Sequence, residues 1–212
     1  MPTNNSIISL EGLSKPINTL IEKISTATGV LYEPTKIRRK AKAEADAKKT
    51  KALVNLEIEE IQKRALTRLV NEEIKKQENI ENITEKCFES LEGNAKPENI
   101  EDDWINNFFD KCKLISDNEM QNLWAKVLAG EANDPGRYSK RTIEFMSTMD
   151  KYDAELFNKL ATFCWNFGEL QPIILDFKNK EISNVLNYSQ FAHLSHIGLI
   201  SVETLGLSIF IH

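Results

Sequence analysis

Three histidines are the residues best suited to metal binding or proton transfer, and all lie near the end of the chain: His193, His196 and His212. His193 and His196 are three residues apart, so on a helix they share one face. A metal site needs further ligands, and no cysteine or carboxylate stands nearby in the same register. The pattern therefore favours ordinary helical histidines, and we predict neither a metal nor a cofactor.

The other candidate groups for catalysis are a carboxylate cluster and three cysteines. Glu101, Asp102 and Asp103 stand where a helix N-terminus favours negative charge, which explains them without catalysis. The cysteines are odd in number and lack Cys-x-x-Cys pairing, which indicates reduced thiols rather than disulfides or a zinc ribbon. No serine-hydrolase elbow, phosphate loop or nucleotide fingerprint occurs. We therefore predict that the protein is not an enzyme.

A locally basic segment is the strongest charge feature of a chain whose formal net charge is −5. Residues 36–51 contain eight basic and two acidic residues. Such a run can be the solvated face of a helix, or it can contact nucleic acid or anionic lipid. The candidate polyanion-binding residues are Lys36, Arg38, Arg39, Lys40, Lys42, Lys48, Lys49 and Lys51.

The basic segment belongs to a long predicted helix, residues 34–92. All eight glycines and all six prolines lie outside residues 35–92, where apolar residues recur near helical multiples. At about 1.5 Å per residue, this helix is longer than a compact domain of this size is wide, so part of it must protrude or pack on another copy. We predict a coiled-coil or stalk-like helix that self-associates through Val54, Ile58, Ile61, Leu69 and Ile74.

A short amphipathic helix is predicted before the long one, within residues 1–33, and Gly29 is expected to end it. We expect its apolar face to pack against the long helix or a partner subunit. Attachment to a membrane surface is the alternative, because the basic run follows directly. The apolar positions are Leu13, Ile17, Leu20, Ile21 and Ile24.

From residue 97 onward the pattern changes to short capped helices. Ser116 with Glu119 predicts a capping box, and Ser139 and Asp150 predict two further helix starts. Most aromatic residues fall in this half, so we place the core in a helical bundle over residues 97–150. Its predicted core residues are Trp104, Phe108, Leu123, Trp124 and Leu128.

The last segment, residues 151–212, predicts a winged helix. We expect helices over 153–165, 182–186 and 190–197 (with Ser189 as the last cap), a strand over 172–177, and a wing formed by 199–203 and 207–211. The segments 189–197 and 201–212 contain no lysine or arginine, which argues against duplex DNA as the ligand. The wing either ends the protein or the chain has been cut there. The predicted fold class is mainly α, with a C-terminal winged-helix-like α+β module.

Several stretches resemble a bacterial family known as domain of unknown function 2806. They are residues 29–34, 37–44, 77–80, 103–109, 116–131 and 135–142, and the likeness extends over nearly the whole chain. The helix pair around residues 120–142 and the C-terminal region also resemble the abortive-infection alpha proteins of bacteria. These resemblances imply an accessory or anti-phage defence role, and they imply no catalytic residues.

The sequence therefore predicts a non-enzymatic, oligomeric interaction protein, with a role in phage defence implied by resemblance. A protein partner other than a second copy also fits this prediction. Two alternatives remain open: a nucleic-acid-binding regulator that uses residues 36–51, and a peripheral membrane effector. No apolar run approaches the roughly 18 to 20 residues of a bilayer span, and no signal peptide is visible. A cytoplasmic location is expected, and attachment to the membrane surface is the alternative.

Overall fold

The structure is a computed structural model, and it describes residues 14–30, 60–162, 164–166, 170–172 and 185–200. The chain divides into two compact units, Met1–Ser147 and Thr148–His212. The basic segment 36–51, together with Val54 and Ile58, lies outside the described residues. Polyanion binding by that segment stays a prediction.

The first unit has five helices among its described residues. They are α1 (Lys15–Thr28), α2 (Glu60–Cys87), α3 (Asp102–Cys112), α4 (Asn118–Asn133) and α5 (Lys140–Ser147). Helix α2 packs along α4, while α3 contacts α1, α2 and α5. Two 3-10 turns, Phe88–Ser90 and Pro97–Asn99, connect α2 to α3 and pack against α4.

Aromatic side chains of α3 and α4 form the centre of this unit. Trp104 stacks on Phe108 at a centroid distance of 5.2 Å, and Phe108 meets the edge of Trp124 at 5.2 Å. Leu128, four residues after Trp124 on α4, is also buried, whereas Leu123 is only half-buried. Burial of such large side chains is the main favourable term in folding.

Local capping signals explain where most helices begin and end. Gly29 ends α1 in the left-handed conformation, with φ of 70°. The Oγ of Ser139 accepts a hydrogen bond from the Thr142 N–H at 3.1 Å, as expected of the α5 cap. For α4 the cap is Asp117 and not Ser116, because the Asp117 carboxylate accepts the first free N–H groups of the helix.

The second unit contains α6 (Lys151–Ala161), strands β1 (Cys164–Asn166) and β2 (Leu170–Pro172), and α7 (Tyr188–His196). Asp150 caps the start of α6, as predicted, and forms a capping box with Asp153. The two strands pair antiparallel, with Trp165 opposite Gln171. Helix α7 is capped by Asn187, and it packs against α6.

The predicted winged helix is wrong. The described residues are mainly helical, and their six strand residues form one short hairpin that pairs residues 164–166 with 170–172. Residues 164 and 165 were expected to end a helix, but α6 stops at Ala161. Thr162 still has helical dihedral angles, with φ of −64° and ψ of −18°. Trp165, an aromatic residue that favours extended backbone, lies in β1. The expected wing strands include Leu199 and Ile200, which are outside any strand.

Candidate interaction surface

Helix α2 is buried at its C-terminal end and exposed at its N-terminal end. Its buried residues all lie from Ile80 onward. Upstream, Ile61, Leu69 and Ile74 are 64%, 52% and 37% exposed. Leu69 and Cys87 are eighteen positions apart (87 minus 69), which is five turns of an α-helix. Leu69 therefore lies on the same face as the fully buried Cys87, but outside the core.

The upstream apolar residues of α2 form two neighbouring ridges. In a helix, residues four apart follow one another along a ridge of the surface. The predicted contact residues Ile61 and Leu69 lie on the first ridge, and Ile74 lies on the second. We name them ridge A, which is Ile61, Ala65 and Leu69, and ridge B, which is Leu66, Val70 and Ile74. Ridge A is exposed throughout, whereas ridge B is half-buried at its first two residues and exposed at its third.

Polar contacts anchor the C-terminal part of α2 to α4. The buried Gln121 amide donates to the Asn79 Oδ1 at 3.2 Å and to the Ile115 carbonyl at 3.0 Å. Lys86 Nζ donates to the Asn118 Oδ1 at 2.7 Å and to the Gln121 Oε1 at 3.1 Å. Desolvation lowers the pKa of Lys86 from its ordinary value. This end of α2 is therefore fixed by both apolar and polar contacts.

Charges are distributed unevenly along α2. Residues 60–70 contain three basic residues and one acidic residue, whereas residues 71–87 contain five acidic and three basic residues. Arg68 pairs with Glu72 at 2.9 Å, and Lys76 pairs with Glu73 at 2.6 Å. Exposed pairs of this kind add little to stability. At an interface, charged residues of this kind affect the relative orientation of the two partners more than their affinity.

A cavity of about 540 Å³ lies between α1, α2 and α3. Both of its lysines already bind a carboxylate, because Lys76 contacts Glu73 and Lys113 contacts Asp110 at 2.6 Å. The hydrogen bond from Lys113 holds the pKa of Asp110 below its ordinary value. The cavity therefore presents paired charges rather than a set of groups suited to catalysis.

The apolar face of α1 is occupied within the first unit. Leu20 and Ile24 are 0% and 1% exposed. Helix α1 packs on α3 and on the Pro97–Asn99 turn, and Lys23 pairs with Asp102 at 2.6 Å. Leu20 and Ile24, two of the residues predicted to enter a membrane surface, are thus used for internal packing, whereas Leu13 lies outside the described residues. None of the described helices is long and apolar enough to cross a bilayer.

The cysteines Cys87 and Cys112 are free thiols buried in the first unit. Burial raises the pKa of Cys87 to about 12 and raises that of Cys112 well above its ordinary value. The thiolate is the reactive form of cysteine, and a raised pKa keeps the thiol protonated. Both residues are therefore unreactive core side chains.

A histidine–aspartate pair joins the two helices of the second unit. His193 Nε2 lies 2.6 Å from Asp153 Oδ1, and the Tyr152 ring is 5.8 Å from the His193 ring. Asp153 Oδ2 also accepts a hydrogen bond from the Asp150 N–H at 3.0 Å. The two residues are forty positions apart in the sequence, which gave no signal of this contact.

The two helical histidines do not converge on one ligand. His196 Nδ1 contacts the Ala192 carbonyl at 2.8 Å, whereas His193 faces Asp153. In the part of the chain that the structure describes, no group of three or more histidine, cysteine or acidic residues could hold a metal ion.

A family model with the description "Protein of unknown function (DUF2806)" matches residues 63–208. The chain belongs to the DUF2806 family. No curated protein and no solved structure matches the chain. The DUF2806 match begins in the first turn of α2, so it includes ridge B and all of ridge A except Ile61. Helix α1 precedes the matched region and packs on it.

Proposed function

We propose that the protein is a non-enzymatic interaction protein that self-associates through ridges A and B of α2. The observation that supports this proposal is the exposure of Leu69. Leu69 lies on the same face of α2 as Cys87, which is buried five turns later where α2 packs on α4. Full burial of a leucine or isoleucine side chain contributes about 1.5–3 kcal/mol, so several such residues left in water represent substantial binding free energy.

A second copy is the occupant that these ridges fit. Apolar residues flanked by charges of both signs are typical of a helix that packs on another helix. A two-fold contact buries the same surface on both partners, so the exposed face of α2 on one copy can be covered by the same face of the other.

Charged substitutions on ridge A test this function. Ile61→Glu and Leu69→Glu should lower the mass in solution to that of a monomer, because a carboxylate at the contact loses its hydration. The melting temperature of the isolated chain should change little, since both side chains are already exposed. Lys75→Glu, at an exposed position of α2 that belongs to neither ridge, is the control and should leave the mass unchanged. Equal masses for all four proteins would refute the proposed contact.

We also propose that this interaction serves bacterial anti-phage defence. The support is the resemblance of residues 120–142 to the abortive-infection alpha proteins. Phage plating on bacteria that express the chain, compared with bacteria that express Leu69→Glu, tests the proposal. Protection should require the unmodified Leu69, and equal plating on both strains would contradict it.

A further inference from the structure

We infer that the turn between α4 and α5 is a docking site for an acidic segment of a protein partner. We name residues 134–141 the cationic turn, because they include Arg137, Lys140 and Arg141. This site is separate from the self-association through α2 and uses no residue of ridges A and B. The inference follows from the bonds that fix the turn, from the exposure of its cations and from the net charge of the chain.

Buried groups fix the backbone of the cationic turn. The carboxylate of the buried Glu131 accepts hydrogen bonds from the N–H groups of Gly136 and Tyr138. The Trp104 indole donates to the Tyr138 carbonyl, and the Tyr138 ring lies against Gly130. Burial of a carboxylate is costly, and a surface turn can be formed by local residues without one. The cost therefore points to a turn whose geometry does more than connect two helices.

The fixed backbone presents three exposed cations, Arg137, Lys140 and Arg141. The guanidinium carbon of Arg137 lies 5.5 Å from the centre of the Tyr138 ring. An arginine that stacks on an aromatic ring in this way is restricted in its orientation. Among the described residues neither arginine forms an ion pair, whereas Lys140 contacts Asp103 at 3.2 Å. The two arginines are therefore available to a partner.

Carboxylates of a protein suit these side chains better than a nucleic acid does. The guanidinium group donates two parallel hydrogen bonds to a carboxylate or to a phosphate, so it binds either group. The whole chain, however, has a net charge of −5, and a protein of this sign repels a polyanion at long range. Nucleic-acid affinity depends mainly on the number of phosphates neutralised, and three cations neutralise few. A short acidic segment needs only a local contact.

The turn also has the composition and the preorganisation of a protein-binding site. Arginine and tyrosine are among the residues that contribute most to binding at protein interfaces. A loop that is already held in one conformation loses little conformational entropy when a partner binds. The hydrogen bonds of Glu131 thus favour binding by the cations that the turn carries.

Titration of the isotope-labelled full chain with a short glutamate peptide tests the site by NMR. The backbone amide signals of residues 134–141 should shift. The variant Arg137→Gln/Arg141→Gln should lose these shifts. Lys15→Gln/Lys126→Gln removes the same charge at exposed positions of α1 and α4, and this control should bind as the parent does. Equal loss of binding in both variants, or shifts in the parent that avoid residues 134–141, would overturn the site.

Glu131→Gln separates a fixed turn from simple charge attraction. It leaves the three exposed cations in place and raises the net charge by one, so attraction by charge alone would strengthen peptide binding. We expect weaker binding, because the turn loses a hydrogen-bond acceptor, and the amide spectrum reports whether the variant is folded. Asp134→Asn adds the same charge while Glu131 still holds the turn, and should bind at least as tightly as the parent. Tighter binding by Glu131→Gln would overturn the role of the fixed turn.

A DNA duplex with the same number of negative charges is the competing ligand. The parent should bind the glutamate peptide more tightly than the duplex at residues 134–141. A preference for the duplex would overturn the assignment to a protein partner, and absence of peptide binding at low salt would overturn the proposal as a whole. None of these signals depends on the mass of the assembly, so they are independent of the self-association through α2.

Discussion

The Oε1 of Glu131 accepts a hydrogen bond of 2.7 Å from the Gly136 N–H, although Glu131 is only 2% exposed. Its Oε2 accepts another from the Tyr138 N–H at 2.9 Å. The carbonyl of Tyr138 in turn accepts a hydrogen bond from the Trp104 indole at 2.7 Å. A buried carboxylate is costly unless it is hydrogen-bonded, and both oxygens of Glu131 accept hydrogen bonds. These bonds fix the turn between α4 and α5.

Glu131→Gln should lower the free energy of unfolding by about 1–3 kcal/mol, the cost of leaving a buried hydrogen-bonding group unsatisfied. The amide nitrogen of glutamine would face a backbone N–H, and neither group could accept. Urea unfolding of the full chain measures the loss. Asp134→Asn, at an exposed position of the same turn, is the control and should change little. Equal losses in the two variants would contradict this role of Glu131.

Gly130→Ala should destabilise the same turn, because a Cβ at this position would lie 2.8 Å from the Tyr138 ring. Overpacking of this kind costs about 1–3 kcal/mol, of which the higher helix propensity of alanine offsets about 1 kcal/mol at this position within α4. Gly93→Ala is the control, since a Cβ there would have no neighbour within 4 Å. Thermal unfolding of both variants provides the comparison. If Gly130→Ala melts at the parent temperature, the contact with Tyr138 is not close in solution.

Trp124→Ala should lower the free energy of unfolding by about 3–5 kcal/mol, the usual cost of truncating a core aromatic residue. Trp124→Phe should cost less, because it retains a ring against Phe108 and removes an indole N–H that has no partner among the described atoms. Leu114→Ala, at a 67% exposed position, is the control. A small effect of Trp124→Ala in urea unfolding would show that this side chain is outside the core.

His193→Ala should loosen the second unit, because it removes the hydrogen bond between α7 and Asp153. A hydrogen bond to a charged group contributes about 1.5–3 kcal/mol. Hydrogen exchange of the α6 amides in the full chain measures the effect, and faster exchange is expected. His196→Ala, whose side chain contacts only its own helix in the hydrogen bonds described, should leave α6 exchange unchanged. Identical exchange in both variants would contradict a stabilising pair.

Local signals in the sequence were sufficient for several helix ends and insufficient for tertiary contacts. Gly29, Ser139 and Asp150 act through groups within a few residues, so their roles could be predicted. The contact between His193 and Asp153 depends on how two helices pack, which periodicity does not contain. The winged-helix prediction failed for a related reason, because short apolar segments near residue 165 are compatible with either a helix or a strand.

Periodicity also identified the apolar residues of α2 without showing which of them the core would cover. Ile61 and Ile83 have the same residue type on the same helix, but the first is 64% exposed and the second is 0% exposed. The difference arises from the position of α4, which packs on one end of α2. Only the structure separates the exposed apolar residues of α2 from those in the core.

Self-association through α2 is tested most directly by the mass of the unmodified full chain in solution, measured by multi-angle light scattering over a range of concentrations. Self-association predicts a mass of twice the 24.2 kDa chain, falling towards that of one chain on dilution. A mass of one chain at every concentration would contradict it.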